Sequence, residues 1–166
     1  VDTCLANGLN VTRIDDIRTY CKTYMGERFD VIVMSHVLEH LPKDNIIETL
    51  HLIREYLLMQ QGRFIAMVPN AQSNTHAYWA YEDFTHTTLF TAGSLFYVMK
   101  AAGYNNIEFL DPKGTAAFHP IIRFGFHFFL LLYTLNKRFW NLITLSSYHK
   151  PSPQIFTYEI KAKATC

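Results

Sequence analysis

Apolar residues in this chain fall into runs of two different periods. Residues 29–34 (FDVIVM) and 64–68 (FIAMV) are short, rich in β-branched residues and almost continuously apolar. That pattern predicts strands covered on both faces, as in a parallel sheet. Between them, residues 42–59 have a helical period. Ile46, Ile47, Leu50, Ile53, Leu57 and Leu58 share one stripe, Pro42 and Asp44 suit a first turn, and Gln61 and Gly62 end the helix. Residues 92–102 predict a further helix stopped by Gly103, and residues 106–110 a third strand. Upstream, residues 1–10 read as a helix end stopped at Gly8, with a short strand near Val11. Residues 18–25 fit either a helix or an irregular turn. Residues 118–145 are apolar and helical in composition, and Pro151 and Pro153 break that run. Residues 155–164 then alternate as a last strand, with Ile155, Thr157 and Glu159 on one side and Phe156, Tyr158 and Ile160 on the other.

The order strand, helix, strand, helix, strand, insertion, strand predicts an open α/β sheet. Runs 29–34 and 64–68 are expected as adjacent, central, parallel strands. The last strand is expected to pair antiparallel at or near an edge. Ligands of such sheets bind beyond the carboxyl ends of the strands, which singles out the polar segments 35–41 and 69–91. Residues 71–91 form a long polar and aromatic loop, and long loops are commonly functional.

Composition narrows the class. With 166 residues, 49% hydrophobic and 17% charged, the chain suits one globular domain and excludes disorder. Cys4, Cys21 and Cys166 are widely spaced with no C-x-x-C, which argues against a disulfide scaffold or a cysteine metal site. A reducing, cytoplasmic setting is expected. The net charge of +1 hides a separation. Residues 112–158 carry Lys113, Arg123, Lys137, Arg138 and Lys150 and no acid, whereas the preceding part is net negative. A basic segment of this kind points to a partner, and its greasy surroundings favour a membrane surface over nucleic acid, so no nucleic-acid partner is expected.

Four segments in order carry a family resemblance. FDVIVMSHVLEHL (29–41) resembles the segment around strand four of class I S-adenosylmethionine-dependent methyltransferases. GRFIAMVPN (62–70) resembles their fifth strand. YEDFTHTTLFTAGSLFYVMKAAGY (81–104) is similar to a D-x-T-H pattern of methyltransferases from surface-polysaccharide and glycan gene clusters, and QIFTYEIKAKA (154–164) to their last strand. The resemblance implies a Rossmann-like sheet with a helical insertion at 112–150 before the last strand. It implies S-adenosyl-L-methionine as cofactor and O-methylation of a sugar, a glycan or a lipid-linked intermediate. The family's glycine-rich first loop has no match, since the glycines at 8, 26, 62, 93, 103, 114 and 125 contain no G-x-G. Residues 1–166 are therefore expected to be a partial domain, the C-terminal part of the fold without its first strands, that binds the cofactor weakly by itself.

The resemblance also implies site residues. Asp16 matches an acid that accepts the adenine amine, and the neighbouring Ile17 would cover the ring face. Ser35 and His36 end the first of the apolar strands, at the cofactor cleft. Asp83 and His86 lie on the acceptor side. A histidine held by a carboxyl group three residues earlier can take a proton from an acceptor hydroxyl. Tyr78, Trp79 and Tyr81 precede them and suit either sugar faces or a lid core. Glu39 and His40 are expected to fix the turn after the strand.

Two further patterns remain. His36-Val-Leu-Glu39-His40 fits the zinc motif H-x-x-E-H, but it follows a strand directly and Pro42 interrupts any long helix, so no metal is expected. The uncharged run 124–136 is shorter than a bilayer span. With Arg123, Lys137, Arg138 and Trp140 around it, 118–145 is expected to lie on a membrane. The same residues leave open an insertion packed on its own domain or in an oligomer. The alternatives to the methyltransferase reading are a non-catalytic membrane-associated module and a zinc hydrolase.

Overall fold

A computed structural model describes residues 1–146 and 154–166. The expectation for Pro151 and Pro153 lies outside the described residues. The elements are α1 (Asp2–Ala6), α2 (Ile17–Thr23), β1 (Phe29–Ser35), α3 (Ile46–Leu52), β2 (Leu58–Pro69), α4 (His76–Tyr81), α5 (Ala92–Ala101), β3 (Asn105–Leu110), α6 (Pro120–Ile143) and β4 (Glu159–Thr165). The strands form one sheet in the order β1-β2-β4-β3. β1 and β2 are parallel neighbours, and β4 runs antiparallel between β2 and β3. The expected α/β sheet, with its helical insertion ahead of the last strand, is thus observed.

The core lies on one face of this sheet. Phe64, Ala66 and Val68 of β2 pair with Ala164, Ala162 and Ile160 of β4, and all are fully buried. Leu50 and Ile53 from α3 and its extension, and Leu95 and Met99 from α5, cover them. Tyr104 stacks near Phe64 with ring centroids 5.1 Å apart and donates its hydroxyl to the Leu50 carbonyl at 3.1 Å. A capping box of Thr91 and Ser94 starts α5, and Gly103, at φ +95°, ends it.

Several boundaries differ from the sequence reading. No strand forms near Val11 among the described residues, and residues 18–25 resolve into the short helix α2. The helix expected over 42–59 begins with a 3₁₀ turn, Lys43–Asn45, and its last turn widens to a π-turn, Ile53–Leu57. Leu58 already belongs to β2. Both Leu57 and Leu58 are buried, so either period accommodates them. Gln60, Gln61 and Gly62 form an irregularity inside the strand rather than a break: register passes from Phe29 opposite Leu58 to Val31 opposite Arg63. Gly62 suits this spot, because a Cβ would lie 2.8 Å from Leu58 Cδ1 and 3.0 Å from the Met59 carbonyl oxygen, so that a neighbour would have to shift. β4 begins at Glu159 instead of residue 155, and the loop after β2 holds α4.

β1 is also not central. Among the described residues it is an edge strand, and Phe29, Val31 and Val33 on one face are each more than 40% exposed. Ile47, expected on the buried stripe, is half-exposed.

Burial sets a limit in alkali. Burial pushes the Cys21 thiol from 9.0 up to about 11, and burial likewise raises the Tyr104 phenol. Both acids stay neutral in the fold at pH values where the unfolded chain would ionise them. The unfolded state then binds fewer protons, and stability falls as pH rises. We expect the urea midpoint to hold up to about pH 9 and then to drop toward about pH 11. Tyr104→Phe should flatten that drop. A midpoint independent of pH over this range would contradict the burial of both groups.

Candidate functional site at the carboxyl ends of the parallel strands

β1 and β2 end on the same side of the sheet, and the segments that leave them meet there. After Ser35, the chain turns sharply at His36, which has φ +52°. A single 3₁₀ turn, Leu38–His40, then inserts Leu38 and Glu39 into the interior. After Pro69, Asn70 is fully buried. Its side-chain amide donates to the Ile155 and Thr157 carbonyls at 2.8 and 2.7 Å, which ties the loop to the start of β4. Farther along, the Thr87 and Thr88 amides both donate to the Glu39 carbonyl, at 2.8 and 3.2 Å. Two loops far apart in the chain are thereby stitched into one surface.

His36 lies between two buried carboxyl groups. Its Nε2 is 2.9 Å from Glu159 Oε1 and its Nδ1 is 3.2 Å from Glu39 Oε1. Glu159 also pairs with Lys161 at 3.1 Å, and this hydrogen bond raises the lysine's pKa. His36 keeps 41% of its side chain exposed. Ser35 is exposed beside it.

The second half of the site is built on Asp83. Its Oδ1 accepts from the Thr85 amide at 2.9 Å and the Thr85 hydroxyl at 2.6 Å. Chiefly through the Thr85 hydroxyl, these bonds hold its carboxyl below the usual range. Since the Thr85 proton goes to Asp83, its oxygen accepts from His40 Nδ1, 2.7 Å away. His86 is nearly buried, at 7% exposure, and its ring centroid lies 4.7 Å from that of His40. Glu39, His40 and His86 each offer a ligand atom within 4.8 Å of the others.

Each sequence-predicted residue has a definite place. Asp16 is the N-cap of α2. Its carboxyl accepts the Thr19 hydroxyl at 2.8 Å and the Thr19 amide at 3.1 Å, and these bonds, the hydroxyl first, keep its pKa low. It remains exposed, with lone pairs to spare, and Ile17 beside it is half-buried against the core. Asp83 and His86 come together, but at 3.8 Å, so Asp83 is tied more tightly to Thr85 than to the histidine. Tyr78 and Tyr81 are exposed on α4, and the Trp79 side chain lies outside the described ones. The H-x-x-E-H segment is no α-helix: His36 lies between Glu159 and Glu39, and the 3₁₀ turn that follows it carries His40 to Thr85 and His86 instead. Reading by motif missed Thr85 and Glu159, whose only signal is polar identity within otherwise apolar or threonine-rich stretches.

The methyltransferase domain family matches residues 7–109, which takes in β1, β2, the stitched loops and β3 nearly to its end. The chain belongs to the methyltransferase domain family. Membership bears out the expected enzyme class, methyl transfer, and S-adenosylmethionine as its cofactor. No curated protein matches the chain. Among solved structures, a SAM-dependent methyltransferase from Archaeoglobus fulgidus is similar at 16% identity, over 96% of this chain and 69% of that one, with a TM-score of 0.63. A Thermotoga maritima SAM-dependent methyltransferase, described as a possible histamine N-methyltransferase, is similar at 12% identity over 99% and 67%, with a TM-score of 0.57. PigF with SAH is similar at 15% identity over 66% and 35%, with a TM-score of 0.53. At these identities the likeness is one of fold, and the methyltransferase domain seen here spans about a third to two thirds of those chains.

Proposed function

We propose that the protein transfers a methyl group from S-adenosylmethionine to a hydroxyl of a sugar, a glycan or a lipid-linked intermediate, while resting on a membrane surface. The observation that carries this reading is the stitched surface itself. Polar groups from the ends of two adjacent parallel strands converge where ligands of such sheets bind.

The residues present fit the cofactor's chemistry. Asp16 is an exposed acceptor next to an apolar neighbour, Ile17, the pair an adenine needs. Ser35 and His36 supply a hydroxyl, a carbonyl and an imidazole at the strand end. S-adenosylmethionine, when bound, supplies a methyl group on a positively charged sulfur that leaves as a neutral thioether. The chain's own work is therefore mostly positioning. His86 takes the hydroxyl proton as the acceptor oxygen bonds to the methyl carbon, with the Asp83 carboxyl 3.8 Å from its Nε2.

The membrane part draws on α6. Its 24 residues include none that is buried, although Tyr133 reaches Asn74 at 2.6 Å and Arg138 reaches Gln154 at 2.9 Å. Among the described residues no helix is long and apolar enough to cross a membrane. The same helix favours a second reading, a membrane-bound module without catalysis.

Labelled methyl transfer to a panel of free and lipid-linked sugars, with products mapped by mass spectrometry, separates the two. Methyl ethers are the expected product, and Asp16→Ser should weaken cofactor binding in calorimetry while still capping α2. Methylation of nitrogen alone, or no methyl transfer to any sugar of the panel, would sink the proposal.

A further inference from the structure

We infer that Glu39, His40 and His86 form a binding site for one divalent cation of the zinc type, set beside the acceptor. The inference rests on the acceptor-side reading above and changes how His86 acts, because its part in deprotonation then runs through the ion.

Glu39 is the first element. Its side chain is 0% exposed, and neither carboxyl oxygen has a hydrogen-bond partner among the described residues. His36 Nδ1 stands 3.2 Å from Oε1 without completing a hydrogen bond. Burying a carboxyl group without donors is costly, and a native protein that does so commonly has a use for it, of which a bound ion is one. The backbone around Glu39 is by contrast fully engaged, since its carbonyl accepts from Thr87 and Thr88. The side chain is therefore held in place with its acceptors unspent.

The second element is the state of His40. Thr85 donates its proton to Asp83 and accepts from His40 Nδ1, at 2.6 and 2.7 Å. This relay fixes the ring with its proton on Nδ1 and its lone pair on Nε2. A carboxyl group that orients a ligating histidine from behind is the usual outer support of a metal site, and here Thr85 transmits that support.

The third element is the donor set. Two imidazoles and one carboxyl group with ligand atoms within 4.8 Å of one another match the His₂Glu sets that hold zinc and leave a fourth position open. Magnesium and calcium prefer all-oxygen shells, so the imidazoles select against them. An acceptor hydroxyl in the fourth position would ionise more readily and release its proton to solvent.

Zn²⁺ titrated by calorimetry into chelator-stripped protein provides the test. One ion per chain is expected, with a raised melting temperature and no competition from Mg²⁺. Glu39→Gln and His86→Gln should each weaken Zn²⁺ binding by about 100-fold or more, and Thr85→Val by about tenfold, as for loss of an outer-shell partner. His51→Gln, an exposed imidazole of α3, should change nothing. Glu39→Gln preserves shape and removes a buried acid, so it should fold at least as well as the parent. Equal uptake by the parent and Glu39→Gln, or no uptake by either, would overturn the site. Methyl transfer that survives chelation but is lost in His86→Ala would overturn the cation's role and leave the histidine as the base.

Discussion

His86→Ala is expected to lower methyl-transfer turnover by about 10²-fold or more, the usual loss when a proton-handling group is removed, with cofactor affinity little changed. The residue sits on the loop that follows β2, its amide bonded to the Asp83 carbonyl at 3.1 Å and its ring against His40. With 7% exposure it has little freedom to move aside, and water has little room to replace it. Asp83→Asn should act in the same direction but less. An amide oxygen still accepts from Thr85, so the turn survives, while the negative charge facing His86 is lost. Turnover at saturating cofactor and acceptor is the measurement, with a thermal melt to confirm that each variant folds. Full turnover in His86→Ala would show that the histidine only fixes the loop.

The second large effect is expected at α6. Ile121, Phe124, Phe128, Leu132, Leu135, Phe139 and Leu142 recur at spacings of three and four, and each is between 47% and 77% exposed. They form one apolar stripe along the helix. The opposite side is the moored one: His127, Leu130, Thr134 and Arg138 line a cleft of about 320 Å³ together with Pro112, Gln154 and Phe156. Arg123 is tied to the Ala116 carbonyl at 2.8 Å, and Lys137 stands 5.5 Å above the Tyr133 ring. The stripe therefore faces away from the cleft, and the helix that carries it has three basic residues, Arg123, Lys137 and Arg138, and no acid. Burial of a Phe side chain contributes about 1.5–3 kcal/mol, and each basic residue near an anionic surface about 1 kcal/mol. Phe124→Glu combined with Phe128→Glu should then reduce co-sedimentation with anionic vesicles by about 100-fold or more. Neutral vesicles or high salt should weaken binding of the parent. A parent protein that ignores both kinds of vesicle would end the membrane proposal.

Much of the scaffold was legible because it depends on local period. Residues 29–34 and 64–68 are strands, are parallel and are neighbours, as their apolar runs predict. The antiparallel last strand and the end of α5 at Gly103 also follow from local pattern. Legibility failed where two periods fit the same residues. Leu57 and Leu58 continue a helical stripe and equally begin a strand, and only packing against β1 assigns Leu58 to the sheet. The apolar run of β1 likewise says that both faces can be covered, not that they are.

The candidate site divides in the same way. By itself the sequence determined that two polar segments follow two apolar strands, and that each carries histidine and carboxyl groups. It also determined that a basic, acid-free stretch precedes the last strand. Only the tertiary structure decided which of those groups meet. His36 finds Glu159, 123 positions away, and the pair His36 and His40, one helical turn apart by count, is separated by a 3₁₀ turn. His40 instead reaches Thr85, 45 positions away, and the ring of His86 beyond it. The reason is physical. Periodicity records which side of an element is apolar, because that is set by burial of neighbouring turns or alternate residues. Contacts between loops are set by where the sheet brings their ends, and no local spacing encodes that.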